Sequence, residues 1–178
     1  MIGTEQDIGI KKIYFHPEYN SVTRTNFDIA VIRLVNRPAT IQQGVGLVCF
    51  PDDNISFPPG SHCWITGWGT LQPGGSSPEE LQQAKVPLVS NQECTKNGSY
   101  PQYQITPEML CAGFPLGGVD ACQGDSGGPL VCERNGKWYI QGATSWGYSC
   151  AKPNFPGVYA RVALLKNWVF HVMAYPSS

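Results

Sequence analysis

The chain has 178 residues, of which 42% are hydrophobic and 14% charged, and its formal net charge is −1 at pH 7. This length suits a single domain with a sizeable core. A net charge near zero gives no excess of positive charge with which to bind a polyanion, so nucleic acid is not an expected partner. No apolar run approaches the roughly 18 residues that span a bilayer, so no membrane span is predicted.

Most of the predicted elements are short β-strands, because 20 glycines and 15 prolines punctuate the chain and few segments show helical periodicity. The dipeptide Asn135-Gly136 lies between two alternating segments and predicts a hairpin. The predicted strands are 29–34, 63–69 (ending in a glycine-marked bend), 85–89, 130–133, 137–145 and 158–162.

Two further segments have distinct patterns. Residues 51–60, rich in Pro, Asp and Asn, predict a surface loop that connects two subdomains. The C-terminal segment predicts a helix that packs against a barrel, since its apolar residues recur at three- and four-residue steps. These residues are Val162, Leu165, Trp168, Val169 and Val172.

Seven cysteines in a chain of this size predict disulfides and an oxidising compartment, and therefore a secreted or extracellular protein. They include no Cys-x2-Cys pair, so no zinc site is predicted. No metal site or cofactor is identified in the sequence, which leaves calcium binding open. Asn54 and Asn97 begin glycosylation sequons, which are compatible with secretion. Residues 1–7 lack the pattern of a signal peptide, which favours a piece of a longer precursor.

The clearest chemical signal is the run 124–129, Gly-Asp-Ser-Gly-Gly-Pro. A serine between small residues can present its hydroxyl as a nucleophile while neighbouring backbone N–H groups stabilise an oxyanion. By itself, Gly-Asp-Ser-Gly-Gly is equally compatible with an ordinary turn. The longer run 120–132 resembles the nucleophile loop of the trypsin-like serine proteases, which have the chymotrypsin fold.

This resemblance implies an all-β, chymotrypsin-like double β-barrel with a C-terminal α-helix. It extends from about Ile8 to Ala174 but matches only the later part of a family domain, so the first barrel is expected to be incomplete and the second complete. The implied peptidase domain, 1–178, divides into a remnant of the first barrel (1–50), a connector (51–60), the second barrel (61–160), and a helix and tail (161–178).

The resemblance implies that Ser126 is the nucleophile and that the backbone N–H groups of Gly124 and Ser126 form the oxyanion hole. The segment 26–34, Asn-Phe-Asp-Ile-Ala-Val-Ile-Arg-Leu, resembles the family segment that holds the triad aspartate. Asp28 would then accept a hydrogen bond from the catalytic imidazole and fix its tautomer. Taken alone, Asp28 is more simply a turn aspartate before a strand, and the combination with Ser126 favours the triad.

The resemblance also implies a pocket for Arg or Lys, and hence polypeptide substrates with one of these residues before the scissile bond. Asp120, six residues before Ser126, takes the position of the charged pocket floor, where a carboxylate pairs with a cationic side chain. Segments 145–148 and 156–159 resemble the two pocket walls. The implied substrate-binding residues are Asp120, Gln123, Ser145, Trp146, Gly147 and Gly157.

The family pattern further implies three disulfides and leaves one cysteine unpaired. Cys49 matches a position from which many family members form a disulfide to a propeptide or light chain, and a free thiol is the alternative. The implied pairs are Cys63–Cys132, Cys94–Cys111 and Cys122–Cys150.

The family's catalytic base is missing from the sequence. The triad histidine lies so far upstream of the triad aspartate in the family that counting back from Asp28 leaves the chain. The histidines that are present, His16, His62 and His171, are not expected to serve as the base.

Asp125 matches the aspartate that pairs with a freshly cleaved N-terminal amine in active family members, and the sequence beginning Met1-Ile2-Gly3 does not match that terminus. Without this ion pair, the oxyanion hole and pocket are expected to be poorly formed.

The leading hypothesis is a trypsin-like serine endopeptidase that forms an acyl-enzyme in its full-length parent, whereas this chain alone has little activity. The alternative is a non-catalytic protease homologue that acts as a binding or decoy module.

Overall fold

The computed structural model describes residues 6–35, 38–52, 54–96 and 98–176. Its elements are β1 (Ile10–Phe15), β2 (Ala30–Leu34), β3 (His62–Gly67), β4 (Gln82–Val89), α1 (Asn91–Cys94), a 3₁₀ turn (Gln102–Gln104), β5 (Met109–Ala112), β6 (Pro129–Arg134), β7 (Lys137–Trp146), β8 (Gly157–Arg161) and α2 (Val162–Ala174). No helix in these ranges combines the length and the apolarity that crossing a membrane requires.

Strands β1 and β2 form a separate two-stranded antiparallel sheet. Its register places Ile13 opposite Ile32 and Phe15 opposite Ala30. The side chains of Ile13, Phe15 and Ile32 are exposed, so the sheet has little core of its own. Because an isolated two-stranded ribbon is marginally stable, contacts made by the loop 16–29 with the rest of the molecule become important for its position.

Strands β3 to β8 close into an antiparallel barrel in the order β3-β4-β5-β8-β7-β6. Side chains such as Val86, Leu130 and Tyr159 are almost fully buried in its core. The turn between β6 and β7 has positive φ at both Asn135 and Gly136, which is the conformation that this dipeptide favours in a hairpin. The mostly β architecture, with a closed barrel and a C-terminal helix, confirms the predicted fold class.

The predicted C-terminal helix corresponds to α2, which begins directly after β8 and packs against β7 and β8. Leu165, Val169 and Val172 are buried, as expected from their spacing. The sequence pattern predicts neither β1 nor β5. Strand β5 is buried throughout and β1 is largely exposed, so neither shows the alternation by which a half-buried strand is recognised.

Candidate active site

The implied nucleophile and the implied pocket residues line one cavity of about 160 Å³. This cavity, here called the serine cavity, lies between the loop 120–126 and the segments 144–150 and 157–159. The residues singled out from the sequence that line it are Asp120, Gln123, Ser126, Ser145, Trp146, Gly147 and Gly157. The fold therefore gathers on one surface residues that are spread over almost 40 positions of the sequence.

Asp120 is held in the serine cavity by the backbone. Its Oδ1 accepts the N–H of Ala121 at 2.8 Å, and its Oδ2 accepts the N–H of Ala151 at 3.1 Å. Burial raises the pKa of Asp120 to about 6 despite these two hydrogen bonds, and the negative charge of Asp125 adds to the increase. No cation of the described residues forms an ion pair with this carboxylate, so the cavity offers it to a cationic ligand.

Gly157 makes room for that carboxylate. A Cβ at this position would lie 2.5 Å from Oδ1 of Asp120 and 3.1 Å from the hydroxyl oxygen of Tyr159. The Tyr159 hydroxyl is buried and has no hydrogen-bond partner within the described part of the chain. One wall of the serine cavity therefore holds a carboxylate without an ion-pair partner and a hydroxyl without a hydrogen-bond partner, both within the described part of the chain.

The loop that carries Ser126 exposes both its hydroxyl and its backbone donors. Gly124 has a φ of +97°, a conformation that glycine adopts without steric cost. Ser126 is exposed. Among the residues described, no acceptor takes a hydrogen bond from the backbone N–H of Gly124 or of Ser126. Both N–H groups are thus available to an oxyanion.

Asp28 is connected to the serine cavity through Ser145. The Ser145 hydroxyl donates to Oδ2 of Asp28 at 2.6 Å, across 117 residues of sequence, and Ser145 lines the cavity together with Ser126. The sequence places Ser145 only in the pocket wall. Its bond to Asp28 depends on how the loop before β2 packs against β7, and no local motif signals that contact.

All three histidines are described, and none of them forms a hydrogen bond with Ser126 or Asp28. The ring of His16 stacks on Phe27, His62 lies in β3, and His171 lies on α2. Among the described residues, the site therefore combines an exposed serine hydroxyl, two backbone donors and a carboxylate, and no histidine is hydrogen-bonded to that serine.

Comparison with known proteins is consistent with this geometry. The family model described as Trypsin matches residues 2–169. The chain belongs to the trypsin family. It is 47% identical over 161 residues to transmembrane protease serine 9 of Rattus norvegicus and 46% identical over 161 residues to transmembrane protease serine 11C of Mus musculus. Both alignments cover 90% of this chain but only 15% and 37% of the two relatives, so the chain spans a minor part of their length.

In this trypsin-family chain, the carboxylate of Asp125 is bonded to backbone. Its Oδ1 accepts the N–H of Gly69 at 2.8 Å, and its Oδ2 accepts the N–H of Cys122 at 2.9 Å. Asp125 lines a second cavity of about 340 Å³, which Asp120 also lines. Residues 1–5 lie outside the described ranges, so the expectation that no N-terminal amine pairs with Asp125 stays a prediction.

Replacing Gly69 by Ala is expected to displace Asp125, because a Cβ there would lie 2.5 Å from Oδ2 and 2.6 Å from Oδ1 of that carboxylate. Losing its two backbone hydrogen bonds should lower the free energy of unfolding by about 1–3 kcal/mol, measured by urea titration. Gly46→Ala is the control, since a Cβ at Gly46 has no neighbour within 4 Å. In an Asp125→Ala background, Gly69→Ala should lower the free energy of unfolding much less, because no carboxylate is left to displace. An equal loss of stability in both backgrounds would contradict the displacement of Asp125.

Three disulfides join the cysteines in the pairs that the trypsin-family resemblance implies. Cys122–Cys150 links the loop that carries Ser126 to the wall of the serine cavity. The pairs are Cys63–Cys132, Cys94–Cys111 and Cys122–Cys150.

Cys49 is free and half-buried. Its backbone N–H donates to the carbonyl of Trp138 and its carbonyl accepts from Ile140, both at 2.9 Å, which fixes its position beside β7.

Of the two predicted glycosylation positions, Asn54 is exposed, and Asn97 lies outside the described residues.

Proposed function

We propose that this chain is the nucleophile-bearing part of a serine endopeptidase that cleaves polypeptides after Arg or Lys. The observation that carries the proposal is the serine cavity, which Ser126 and the unpaired carboxylate of Asp120 both line. A carboxylate in a partly buried cavity recognises a guanidinium or ammonium group through charge-assisted hydrogen bonds. A side chain bound there would bring its own carbonyl group towards the Ser126 hydroxyl.

In the proposed reaction, Oγ of Ser126 forms a bond to the scissile carbonyl carbon while its proton passes to an imidazole. The N–H groups of Gly124 and Ser126 stabilise the oxyanion. The imidazolium then protonates the leaving amine as the C–N bond breaks, and water hydrolyses the acyl-enzyme with the imidazole again as base. The imidazole belongs to a histidine outside the 178 residues, and Asp28 accepts its Nδ1–H.

The 178-residue chain alone is expected to react with a fluorophosphonate probe at least about 10⁴-fold more slowly than a version extended upstream by a family-type half that supplies the histidine. The physical reason is that a serine hydroxyl without a base stays protonated and weakly nucleophilic. Labelling rates of the two oxidatively refolded proteins, followed by mass spectrometry, measure this difference.

Ser126→Ala in the extended version is the control for this labelling and should abolish it. Rapid, Ser126-dependent labelling of the 178-residue chain would contradict the requirement for an external base. A correctly folded extended version that stays unlabelled would contradict the assignment of Ser126 as nucleophile.

A second candidate function is that of a non-catalytic protease homologue that binds cationic peptide segments. The observation that favours it is the placement of the three described histidines, none of which bonds to Ser126 or Asp28. The carboxylate of Asp120 needs no base in order to bind a cation. An extended protein that binds benzamidine but is never labelled would support this alternative.

We further propose that the protein is secreted or faces the extracellular space, since three disulfides favour an oxidising compartment. In that setting Cys49 would form a disulfide with a pro- or light chain. The support for this partner is that Leu47, two residues before Cys49, is almost fully exposed. Asn54, which is exposed, is proposed as a glycosylation site.

A further inference from the structure

The loop before β2 holds Asp28 next to residues in an unfavourable backbone conformation. Thr25 and Phe27 have positive φ values of 64° and 53°, a conformation that is unfavourable for residues with a Cβ. Asn26, between them, is fully buried, and its Oδ1 accepts the hydroxyl of Thr106 at 2.7 Å. Such a conformation persists only where the surrounding contacts hold it.

His16 supplies contacts to both neighbours of Asp28. Its ring stacks on Phe27 with centroids 4.7 Å apart and an interplanar angle of 14°. Its backbone N–H donates to the carbonyl of Ile29 at 3.2 Å. The ring also packs against Trp168 of α2, with centroids 4.8 Å apart, and the His16 side chain is buried. The contacts of His16 therefore link the segment around Asp28 to the C-terminal helix α2.

The contacts of the His16 ring require its unprotonated form. Nδ1 accepts the backbone N–H of Glu18 at 3.2 Å, which is possible only when that nitrogen carries no proton. Burial lowers the pKa of His16 below the ordinary 6.5, and the carboxylate of Glu18 raises it by a smaller amount. Glu18 is the charged group that acts on the ring, whereas Phe27 and Trp168 face it with uncharged aromatic rings.

We infer that unprotonated His16 is a positioning residue that holds Asp28 at the Ser145 hydroxyl. The inference rests on the proposed function, in which Asp28 is the triad carboxylate. Protonation of His16 removes the acceptor of the Glu18 N–H and places a charge between two packed rings. The loop then loses a support of its strained conformation, and Asp28 separates from Ser145. The site is assembled at neutral pH and loosened in acid.

An NMR titration of the full chain from about pH 8 to about pH 4.5 tests this coupling. The ring signals of His16 should titrate below pH 6.5, and the amide signals of Asp28 and Ser145 should show the same inflection. Ser145 is the decisive reporter, because it lies in β7 and senses His16 through Asp28. It also lines the same cavity as Asp120, whose pKa is about 6, so all variants are compared in an Asp120→Asn background, which removes that second titration. The hydrogen-exchange protection of the Ile29 amide, which donates to the carbonyl of Phe27, should fall on the order of tenfold through the same transition.

His16→Phe is the informative variant, since it keeps an aromatic ring in the stack but cannot titrate. It should fold, and the shared inflection of Asp28 and Ser145 should vanish. His62→Phe, at an exposed histidine of β3, is the matched control and should retain the inflection. A Ser145 inflection that persists when His16→Phe is added to the Asp120→Asn background, or that is absent from the Asp120→Asn chain, overturns the inference.

The Asp120→Asn chain alone decides the question even if His16→Phe does not fold. The titration needs no catalytic activity, so its outcome is independent of fluorophosphonate labelling. Labelling of the extended version without a linked His16 titration would leave the proposed function standing and remove this inference alone.

Discussion

Replacing Asp120 by Asn should weaken the binding of benzamidine, an aromatic amidinium that mimics the arginine side chain, by at least about 100-fold. The carboxylate of Asp120 is partly buried and has no cationic partner among the described residues, so the amidinium would provide its counter-charge. The neutral amide of Asn keeps the size of the side chain but not the charge. Isothermal titration calorimetry of the refolded chain measures the difference.

The affinity for benzamidine should also depend on pH in a defined direction. Because the pKa of Asp120 is about 6, only about a tenth of the chains carry the charged form at pH 5, and binding there should be about tenfold weaker than at pH 8. The stability of the fold depends on pH in the opposite direction. The folded chain binds more protons than the unfolded chain between the ordinary pKa of 3.8 and about 6, so ionisation of Asp120 lowers the free energy of unfolding as the pH rises through that range.

Two variants serve as checks on this prediction. Gly157→Ala should weaken benzamidine binding as well, because its Cβ would lie 2.5 Å from Oδ1 of Asp120. Asp52→Asn, at an exposed aspartate of the connector, should leave binding unchanged. Unaltered affinity in Asp120→Asn would refute the role of this carboxylate in recognising a cation.

Removing the Cys63–Cys132 disulfide by a double substitution to Ala should lower the free energy of unfolding by about 2–5 kcal/mol. The bond joins β3 to β6 inside the barrel core, and both cysteines are fully buried. It also links residues 69 positions apart, so it restricts the unfolded chain strongly. Equilibrium unfolding in guanidinium chloride measures the change.

Removing Cys94–Cys111 should cost about 1 kcal/mol less, because this bond closes a 17-residue separation instead of 69 and the entropy of the unfolded loop grows only logarithmically with length. Cys49→Ala is the control and should change stability little, since Cys49 forms no disulfide in this chain. A loss in Cys63→Ala/Cys132→Ala no larger than in Cys49→Ala would contradict a structural role for the first bond.

The sequence predicts those elements correctly whose structure depends on residues that lie close together along the chain. The Asn135-Gly136 dipeptide predicts the hairpin between β6 and β7, and the spacing of Leu165 and Val169 predicts the buried face of α2. Both depend on interactions among residues close in sequence. Sequence reasoning failed for β1 and β5, whose assignment depends on pairing with β2 and β8 and not on alternation within the strand.

The candidate site divides in the same way. The sequence by itself determined the family, the identity of Ser126, Asp28 and Asp120 as the chemical groups to consider, and the odd number of cysteines, because these follow from residue type and spacing along the chain. Only the tertiary structure decided the bond between Ser145 and Asp28, the raised pKa of Asp120 and the position of His16. Each of these depends on distance across the fold and on burial, which arise when the barrel closes and the loop before β2 packs against it.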